Sequence, residues 1–355
     1  VKERNFSKST ILVTGGAGFI GSNFIYLLNK TYPNTKIINF DKLTYAGNIE
    51  NLNRIKDNSS YQFVCGDISS KNDVTKVFDE NDIDTVVHFA AESHVDRSIK
   101  DASPFIKTNI QGTVNLMDVA LEKWADKLDE KLFLHVSTDE VYGSLGKTGV
   151  FTEETPLTPN NPYSSSKAAS DMMVLSYVHT HKFPAIITRC SNNYGPFQFP
   201  EKLIPLTIIN ITQKKKIPIY GDGKQIRDWI FVTDHCEGIS AAMKRGKLGE
   251  AYNFGGEAEI YNIDLVTNLC NLCNKSGIGS NSAELMTHVT DRPGHDRRYA
   301  MGIEKARREL DWNPRYNIED ALHQTVGWYL DNRNWWNNLL NREYEDYYAK
   351  QYGDI

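Results

Sequence analysis

The first half of the chain alternates short, continuous apolar runs with longer segments whose apolar residues recur at helical spacing. TILVTG, KIINFD, YQFVCGD, TVVHFAA, LFLHVST and AIITRC are rich in β-branched and aromatic residues and too short for helices. Their apolar continuity predicts strands buried on both faces, as in a parallel sheet. Between them, IGSNFIYLLNKTY, DVTKVFDEN, IQGTVNLMDVALEKW and SKAASDMMVLSYVHTH read as amphipathic crossover helices. This repeated order predicts an α/β fold, a Rossmann-type doubly wound parallel sheet. After about residue 190 the rhythm lapses into SNNYGPFQFPEK, a loop of the kind that carries function at a sheet's last strands. The expected division is 9–192 for a nucleotide-binding domain, rejoined by about 226–257; 193–330 for a smaller C-terminal α/β substrate-binding domain; and an aromatic-rich tail over 331–355.

At 355 residues the chain can bury two such cores. A formal charge of −5 and a pI near 6.0 argue against a nucleic-acid-binding surface, while leaving room for a local basic pocket that holds a small anion. The opening VKERNFSKST lacks the apolar stretch of a secretory signal, and no run approaches the roughly 20 residues needed to span a bilayer. A cytoplasmic address without a membrane partner is therefore expected. Five scattered cysteines do not make a disulfide framework. Cys270 and Cys273 form a lone CxxC on one helical face, with no second pair to complete a zinc site, and read as core residues. No metal is expected, and Lys214–Lys216 reads as a solvated turn.

The strand TILVTG runs into Gly15-Gly-Ala-Gly18-Phe-Ile-Gly21 and a helical pattern. Glycines at 15, 18 and 21 allow a tight turn, close approach of backbone to a pyrophosphate and tight helix–sheet packing. Asp41 closes the next strand, where a carboxylate accepts from adenosine ribose hydroxyls and repels a 2′-phosphate; NAD is favoured over NADP, with Lys42 beside it as a counterweight. Asp67 is placed to approach the adenine, the alternative being an ordinary turn aspartate. Ala90 and Ala91 let the backbone lie against the cofactor, and Ser93 falls where cofactor meets substrate. His88 and His94, beside the same strand end, read as structural hydrogen-bonders.

Thr138-Asp139-Glu140 ends an apolar run, and Tyr163 and Lys167 share a helical face at i,i+4 spacing. A nearby ammonium is expected to lower the tyrosine pKa, making it a base for a hydroxyl, while the lysine also holds a cofactor ribose. Thr138 suffices to polarise that hydroxyl, which leaves two carboxyls unexplained by simple oxidation. Adjacent carboxyls near an apolar strand end push their pKa values apart, and one acid plus one base is what an elimination needs. The alternative for each is a solvated loop acid or a helix cap.

TGGAGFIGSN, DKLTYAGN, FAAESHVDRSI, STDEVYG, YSSSK, RCSNNYGPFQFPEKLIP, YGDGKQIRDWIFV and DRPGHDRRYA together resemble the dTDP-glucose 4,6-dehydratase family of extended short-chain dehydrogenase/reductases, over roughly residues 9 to 330. The related UDP-galactose 4-epimerases share the glycine site and YxxxK but lack the Asp-Glu pair. The resemblance implies a redox-neutral cycle on a nucleotide sugar. Tyr163 takes the 4-hydroxyl proton as C4 is oxidised by NAD, Glu140 removes the C5 proton, Asp139 protonates the departing C6 hydroxyl, and the hydride returns to C6. It further implies cofactor contacts from Phe19, Ile20, Thr44, Ile68, Thr108 and Asn192, and substrate contacts from Ser93, Thr138, Asn193 and Asn262. Lys202, Arg227, Arg292, His295 and Arg298 fall to the nucleotide diphosphate, arginine being suited to bidentate phosphate contacts. A homodimer built on the YxxxK helix and its neighbour is also implied. The rival readings are an epimerase or a dehydratase of a UDP- or GDP-sugar, and a non-catalytic NAD-sensing protein, which would not need Tyr163, Lys167 and both carboxyls at once.

Overall fold

The computed structural model describes residues 3–353. In chain order it runs β1 (Thr10–Thr14), α1 (Phe19–Thr31), β2 (Lys36–Asp41), β3 (Tyr61–Cys65), α2 (Lys71–Asp79), β4 (Thr85–His88), α3 (Val95–Lys100), α4 (Ser103–Phe105) and α5 (Thr113–Trp124). It continues with β5 (Leu132–Thr138), α6 (Pro162–His181), β6 (Ala185–Cys190), β7 (Asn192–Tyr194), α7 (Leu203–Gln213), β8 (Ile217–Tyr220), β9 (Ile226–Phe231) and α8 (Val232–Arg245). It ends with β10 (Ala251–Phe254), β11 (Glu259–Tyr261), α9 (Asn262–Lys275), β12 (Met286–Val289), α10 (Glu304–Leu310), α11 (Ile318–Asp331), α12 (Arg333–Leu339) and α13 (Arg342–Tyr352).

The period of two along each strand sorts its apolar residues to two faces. Ile11 and Val13 of β1 pack with Phe24 and Leu28 of α1 and with Ile239 and Met243 of α8. Leu12 between them faces Val74 of α2, Leu116 of α5 and Val174 of α6. All seven residues of β5 are buried, as a strand covered by helices on both sides must be. The seven strands lie in the order β10-β6-β5-β4-β1-β2-β3 and pair in parallel. Because β1 sits between β2 and β4, the chain reverses its direction of sheet growth there. The loops after β1 and β4 diverge and leave a crevice at the strand ends.

Between β6 and β10 the chain makes an excursion into a smaller unit with sheets ordered β11-β9-β7 and β12-β8. Its core joins Ile208 of α7, Leu265, Leu269, Cys270 and Cys273 of α9, and Val326 of α11. Both cysteines of the CxxC are fully buried there as free thiols. Three details differ from the sequence-based expectation. Residues 226–231, expected in the returning segment, pair as β9 with β7 and β11, so the return to the large sheet begins with α8 and is completed by β10. The tail is not set apart either: Trp336 of α12 is buried in the small unit's core. The helix expected to begin at Ile110 starts earlier, in wide π-type turns over Ile106–Gly112 that precede α5. Among the described residues no helix is long and apolar enough to cross a membrane.

Beneath the strand ends lies a buried polar layer. Asp171 of α6 accepts from Arg189 Nε of β6 (2.8 Å) and faces His135 Nε2 of β5 (3.4 Å). Burial alone would raise the Asp171 pKa, but Arg189 and His135 outweigh it and hold it at about 2. Arg189 also donates to the Tyr142 hydroxyl (2.8 Å). Truncating one partner of such a pair leaves a buried charge without compensation. Asp171→Ala is therefore expected to cost about 3–5 kcal/mol, read from urea unfolding at pH 7. A loss below about 1 kcal/mol would show that Tyr142 and solvent suffice for Arg189.

Candidate active site

The loop after β1 is shaped by contacts that leave no room for side chains. Gly15 has φ +69° and packs so closely on the backbone after β4 that a Cβ would lie 2.6 Å from Ala90 N. A Cβ on Gly21 would lie 2.3 Å from the Gly15 carbonyl oxygen. Gly18, the N-cap of α1, is extended and brings no side chain to the helix end, so the first turn's N–H groups are left for a ligand. A cavity of about 330 Å³ opens in front of it. Every expected cofactor contact lines this cavity: Gly15, Gly18 to Gly21, Asp41, Lys42, Thr44, Asp67, Ile68, Ala90, Ala91, Ser93, Thr108, Tyr163, Lys167 and Asn192.

Asp41 accepts from the backbone N–H of Ala17 (2.9 Å) and of Leu43 (2.8 Å), which fixes its carboxylate at the cavity wall. Burial raises its pKa and those N–H groups oppose the rise. Lys42, the counterweight, is turned to Asp67 (2.7 Å). Its charge is therefore already matched, and the carboxylate at Asp41 fits a ribose diol better than a phosphate. These residues fit NAD. His88 has both ring nitrogens engaged, by Thr14 (2.7 Å) and Thr113 (2.9 Å), the structural role read from its place beside a strand end.

The catalytic end of the cavity is built where β5 stops and α6 starts. Asn161 caps α6, its side-chain oxygen accepting from Ser164 N (2.9 Å) and Ser164 Oγ accepting in return from Asn161 N (3.2 Å). With Pro162 at the first helical position, Tyr163 and Lys167 project from the first two turns. The same Asn161 amide donates to Glu140 (3.4 Å). Thr138 Oγ1 donates to Asp139 (3.2 Å) and accepts from Glu140 N (3.3 Å), holding both carboxyls in a single turn.

Asp139 is 2% exposed, and its Oδ2 has no hydrogen-bond partner among the described residues. Burial, then the charge of Glu140, raises its pKa well above the carboxylate range. Burial raises Glu140 too, but Arg227, Lys202, Asn161 and Arg292 pull it back. One turn of chain thus carries two carboxyls that are both raised, Asp139 well above its ordinary value and Glu140 against the opposing pull of three cations and an amide. Tyr163 departs from expectation: burial, then Glu140, raises its pKa well above the ordinary phenol value, with only Thr138 pulling down. Lys167 donates to the Val136 carbonyl (2.9 Å) and is itself brought to about 8 by burial, which leaves it mostly protonated at pH 7, so the lowering of Tyr163 that sequence spacing suggested is outweighed by burial.

A second cavity of about 170 Å³ lies in the small unit and shares Glu140, Asn192, Asn193, Gln198, Glu201 and Lys202 with the first. Arg227, Asn262, Arg292 and His295 line it. Arg292 Nε and Asn262 Oδ1 are buried there without partners among the described residues, one donor and one acceptor. Arg227 donates to the carbonyls of Ile226 (2.8 Å) and Asp296 (2.9 Å), neutral groups that orient it without cancelling its charge. Asn193 directs its amide inward, to the Ser191 carbonyl (3.0 Å) and His235 (2.8 Å), and so shapes the shared wall. Ser93 and Thr138 line the first cavity only. Arg298 lines neither: its guanidinium is clasped by both oxygens of Glu259 (2.7 and 2.9 Å).

Several residues here were not singled out from the sequence. Glu201 lies on the shared wall with its pKa raised by burial to about 7. Tyr299 lies under the Arg227 guanidinium (4.2 Å), Tyr220 under Arg292 (4.8 Å), and Tyr352 of the tail lines the second cavity. Asn109, in the wide turns, donates to the Glu92 carbonyl (2.9 Å) and to Ser166 Oγ (2.8 Å), tying the loop after β4 to α6. Glu201 and Tyr299 sit inside PEK and RRYA, one residue from the cations Lys202 and Arg298; Asn109, between Lys107-Thr108 and Gln111, carried no signal of its own.

Residues 12–325 match the family model described as GDP-mannose 4,6 dehydratase. The chain is 48% identical over 343 residues to the dTDP-glucose 4,6-dehydratase of Xanthomonas campestris pv. campestris (strain B100), covering 95% of this chain and 97% of that one. The crystal structure of dTDP-glucose 4,6-dehydratase from Bacillus anthracis str. Ames in complex with NAD superposes with a TM-score of 0.85 at 48% identity, over 93% of this chain and 99% of that one. The UDP-glucose 4-epimerase of Thermotoga maritima shares the fold at a TM-score of 0.81 but only 26% identity, over 91% and 99% of the two chains.

The raised Asp139 pKa has a consequence for stability with a definite sign. The folded state binds that proton more tightly than the unfolded chain, so Asp139 lowers stability progressively as pH rises from the ordinary value of 3.8. Asp139→Asn is expected to melt higher than the parent protein at pH 8, with the gap closing as pH falls to about 4. A lower melting temperature for the variant at pH 8 would mean that the carboxyl is held ionised.

Proposed function

The chain belongs to the dTDP-glucose 4,6-dehydratase family, and on that premise we propose how its residues divide the conversion of dTDP-glucose to dTDP-4-keto-6-deoxyglucose. One observation carries the assignment: Glu140 stands on the wall shared by the two cavities, with the buried Asp139, its Oδ2 without a partner among the described residues, next to it. NAD, when bound, takes a hydride from C4 of the sugar and gives it back at C6. Tyr163 takes the C4 hydroxyl proton, with the Thr138 hydroxyl on the same oxygen; because burial and Glu140 raise the phenol in the free protein, this step requires the positive charge of bound NAD to bring it down. The resulting ketone acidifies C5. Glu140, kept nearer to ionised by Arg227, Lys202 and Arg292, removes the C5 proton. Asp139, kept protonated by burial and by the neighbouring charge, delivers its proton to the C6 hydroxyl as water leaves. Lys167 serves chiefly to hold the cofactor ribose.

Arg227, Arg292 and Lys202 bind the diphosphate, and Asn262 offers its unpaired oxygen to a donor on the base or ribose. His295, held by Asp291 (2.6 Å), closes the same wall. Arg298, clasped by Glu259, supports that wall from behind. We read residues 9–192 with α8 and β10 as the NAD domain, and the rest of 193–330 as mainly the substrate domain, which the tail completes. All five cysteines are free, which suits a reducing cytoplasm.

The protein works as a homodimer in this reading. Ile106 is 56% exposed and Met172 58% exposed on two segments that pack against each other, the wide turns before α5 and α6. A second copy that covers this apolar face accounts for both. Sedimentation equilibrium is expected to give twice 40.3 kDa, and Met172→Glu to shift the protein towards monomer. A monomeric parent protein at micromolar concentration would end the dimer reading.

The chemistry is tested by incubating the protein with dTDP-glucose in deuterated water. The expected product is a 4-keto-6-deoxy sugar with one deuterium at C5 and no accumulated NADH. Glu140→Gln should still reduce NAD on mixing with substrate yet lose C5 exchange by 10²-fold or more. Asp139→Asn should slow water loss more than oxidation. Unchanged exchange in Glu140→Gln would remove that residue from the role of base, and turnover of a UDP- or GDP-sugar in place of dTDP-glucose would keep the chemistry and change the substrate.

A further inference from the structure

The aromatic tail reaches the cofactor side of the molecule through one unbroken line of hydrogen bonds. Trp335 of α12 donates its indole N–H to Asn51 Oδ1 (2.8 Å). Asn51, 2% exposed, donates its amide to the Ala17 carbonyl in the glycine-rich loop (2.9 Å). Ala17 N–H in turn donates to Asp41 Oδ2 (2.9 Å), the carboxylate at the ribose end of the cavity. Each group in this line is the partner that the next one needs, because a buried amide or carbonyl without one carries a desolvation penalty.

A second set of contacts fixes the same parts together. Trp335 packs edge-on against Trp328 (4.9 Å between ring centroids) and Phe197 (6.0 Å). Phe197, whose φ of +70° is unusual for a bulky side chain, stacks on Tyr26 of α1 (6.1 Å). The Tyr26 hydroxyl returns to the Asn51 carbonyl (2.7 Å), and Tyr329 donates to the carbonyl of Gln198 on the shared wall (2.5 Å). The segment Trp328–Trp335 therefore grips the helix behind the glycine loop, the loop itself and the wall between the cavities.

We propose that Trp335 and Asn51 are positioning residues for the cofactor: the C-terminal segment braces the glycine-rich loop and Asp41 so that NAD stays bound through a cycle that reduces and reoxidises it. This rests on the NAD reading of the first cavity. A cofactor regenerated within each turnover gains nothing from leaving, and a loop braced from behind closes on it without first having to order itself.

The test uses the full chain, with Trp335→Phe and Asn51→Asp. The phenylalanine keeps an aromatic ring in the cluster and deletes the one N–H; the aspartate keeps the acceptor for Trp335 and loses the donor to Ala17. Protein loaded with NAD is diluted rapidly into excess labelled NAD and exchange is followed. Trp335→Phe should release NAD about three- to tenfold faster, the loss of one neutral hydrogen bond expressed as a rate. The KM for dTDP-glucose at saturating NAD should stay at the parental value, the melting temperature of NAD-stripped protein should fall by a few degrees for the unpaired Asn51 oxygen, and the gain in melting temperature on adding NAD should shrink. In the double variant release should be no faster than in Asn51→Asp alone, because the line passes through Asn51. Release from Trp335→Phe at the parental rate overturns the brace, and so does an undiminished gain in melting temperature when NAD is added to the stripped variant. Parental protein that binds no NAD would instead overturn the cofactor reading on which the brace depends.

Discussion

Two neighbouring carboxyls at the end of a fully buried strand are the constraint on which the site depends. Removing an ionised carboxylate from water costs several kcal/mol even after relaxation, and two side by side cost more than twice one. The protein meets this in two ways at once. Asp139 is shifted well towards its protonated form, and Glu140 is faced by Arg227, Lys202 and Arg292. Those cations stand outside the large sheet, on the loop and strands of the smaller unit, so the carboxyl pair is tolerated only when both units are in place. Asn161 completes the arrangement by capping α6 with one end of its amide and meeting Glu140 with the other. The helix that carries Tyr163 is thereby registered to the strand that carries the acids.

The same contacts set the first cavity against the second. Their shared wall runs from Asn192 to Lys202, and Gln198 holds it by donating to the Asn193 carbonyl (2.8 Å). In the proposed reaction such a wall would keep the stored hydride beside the reactive ketone. Under this floor Arg189 pairs with Asp171, His135 Nε2 faces the same carboxylate, and His88 is engaged by Thr14 and Thr113. Thus the strands can carry histidines through an apolar sheet without offering them to the reaction.

Much of the fold was legible because local rules suffice for it. Apolar continuity marked six of the seven strands of the large sheet, and the glycines at 15, 18 and 21 marked the turn where backbone must approach backbone. The acid pair and YxxxK were legible as residue types. The direction of the Tyr163 shift was not: spacing to Lys167 suggested a lowering, whereas burial and Glu140 raise it, and burial is a property of the assembled core. Arg298 illustrates the same limit, since its sequence neighbours do not reveal that Glu259, 39 residues earlier, claims its guanidinium.

By itself the sequence determined the alternation of strands and helices, the glycine-rich turn after the first strand, and which side chains can accept or give protons, because these follow from periodicity, backbone freedom and chemical type within a few residues. Tertiary structure alone decided where the sheet reverses, which carboxyl is shifted further towards its protonated form, which cations line a cavity, and that a tryptophan 284 residues from Asn51 lies against the loop of the cofactor site. Those outcomes depend on desolvation and on contacts between distant segments, and neither exists until the chain has closed on itself.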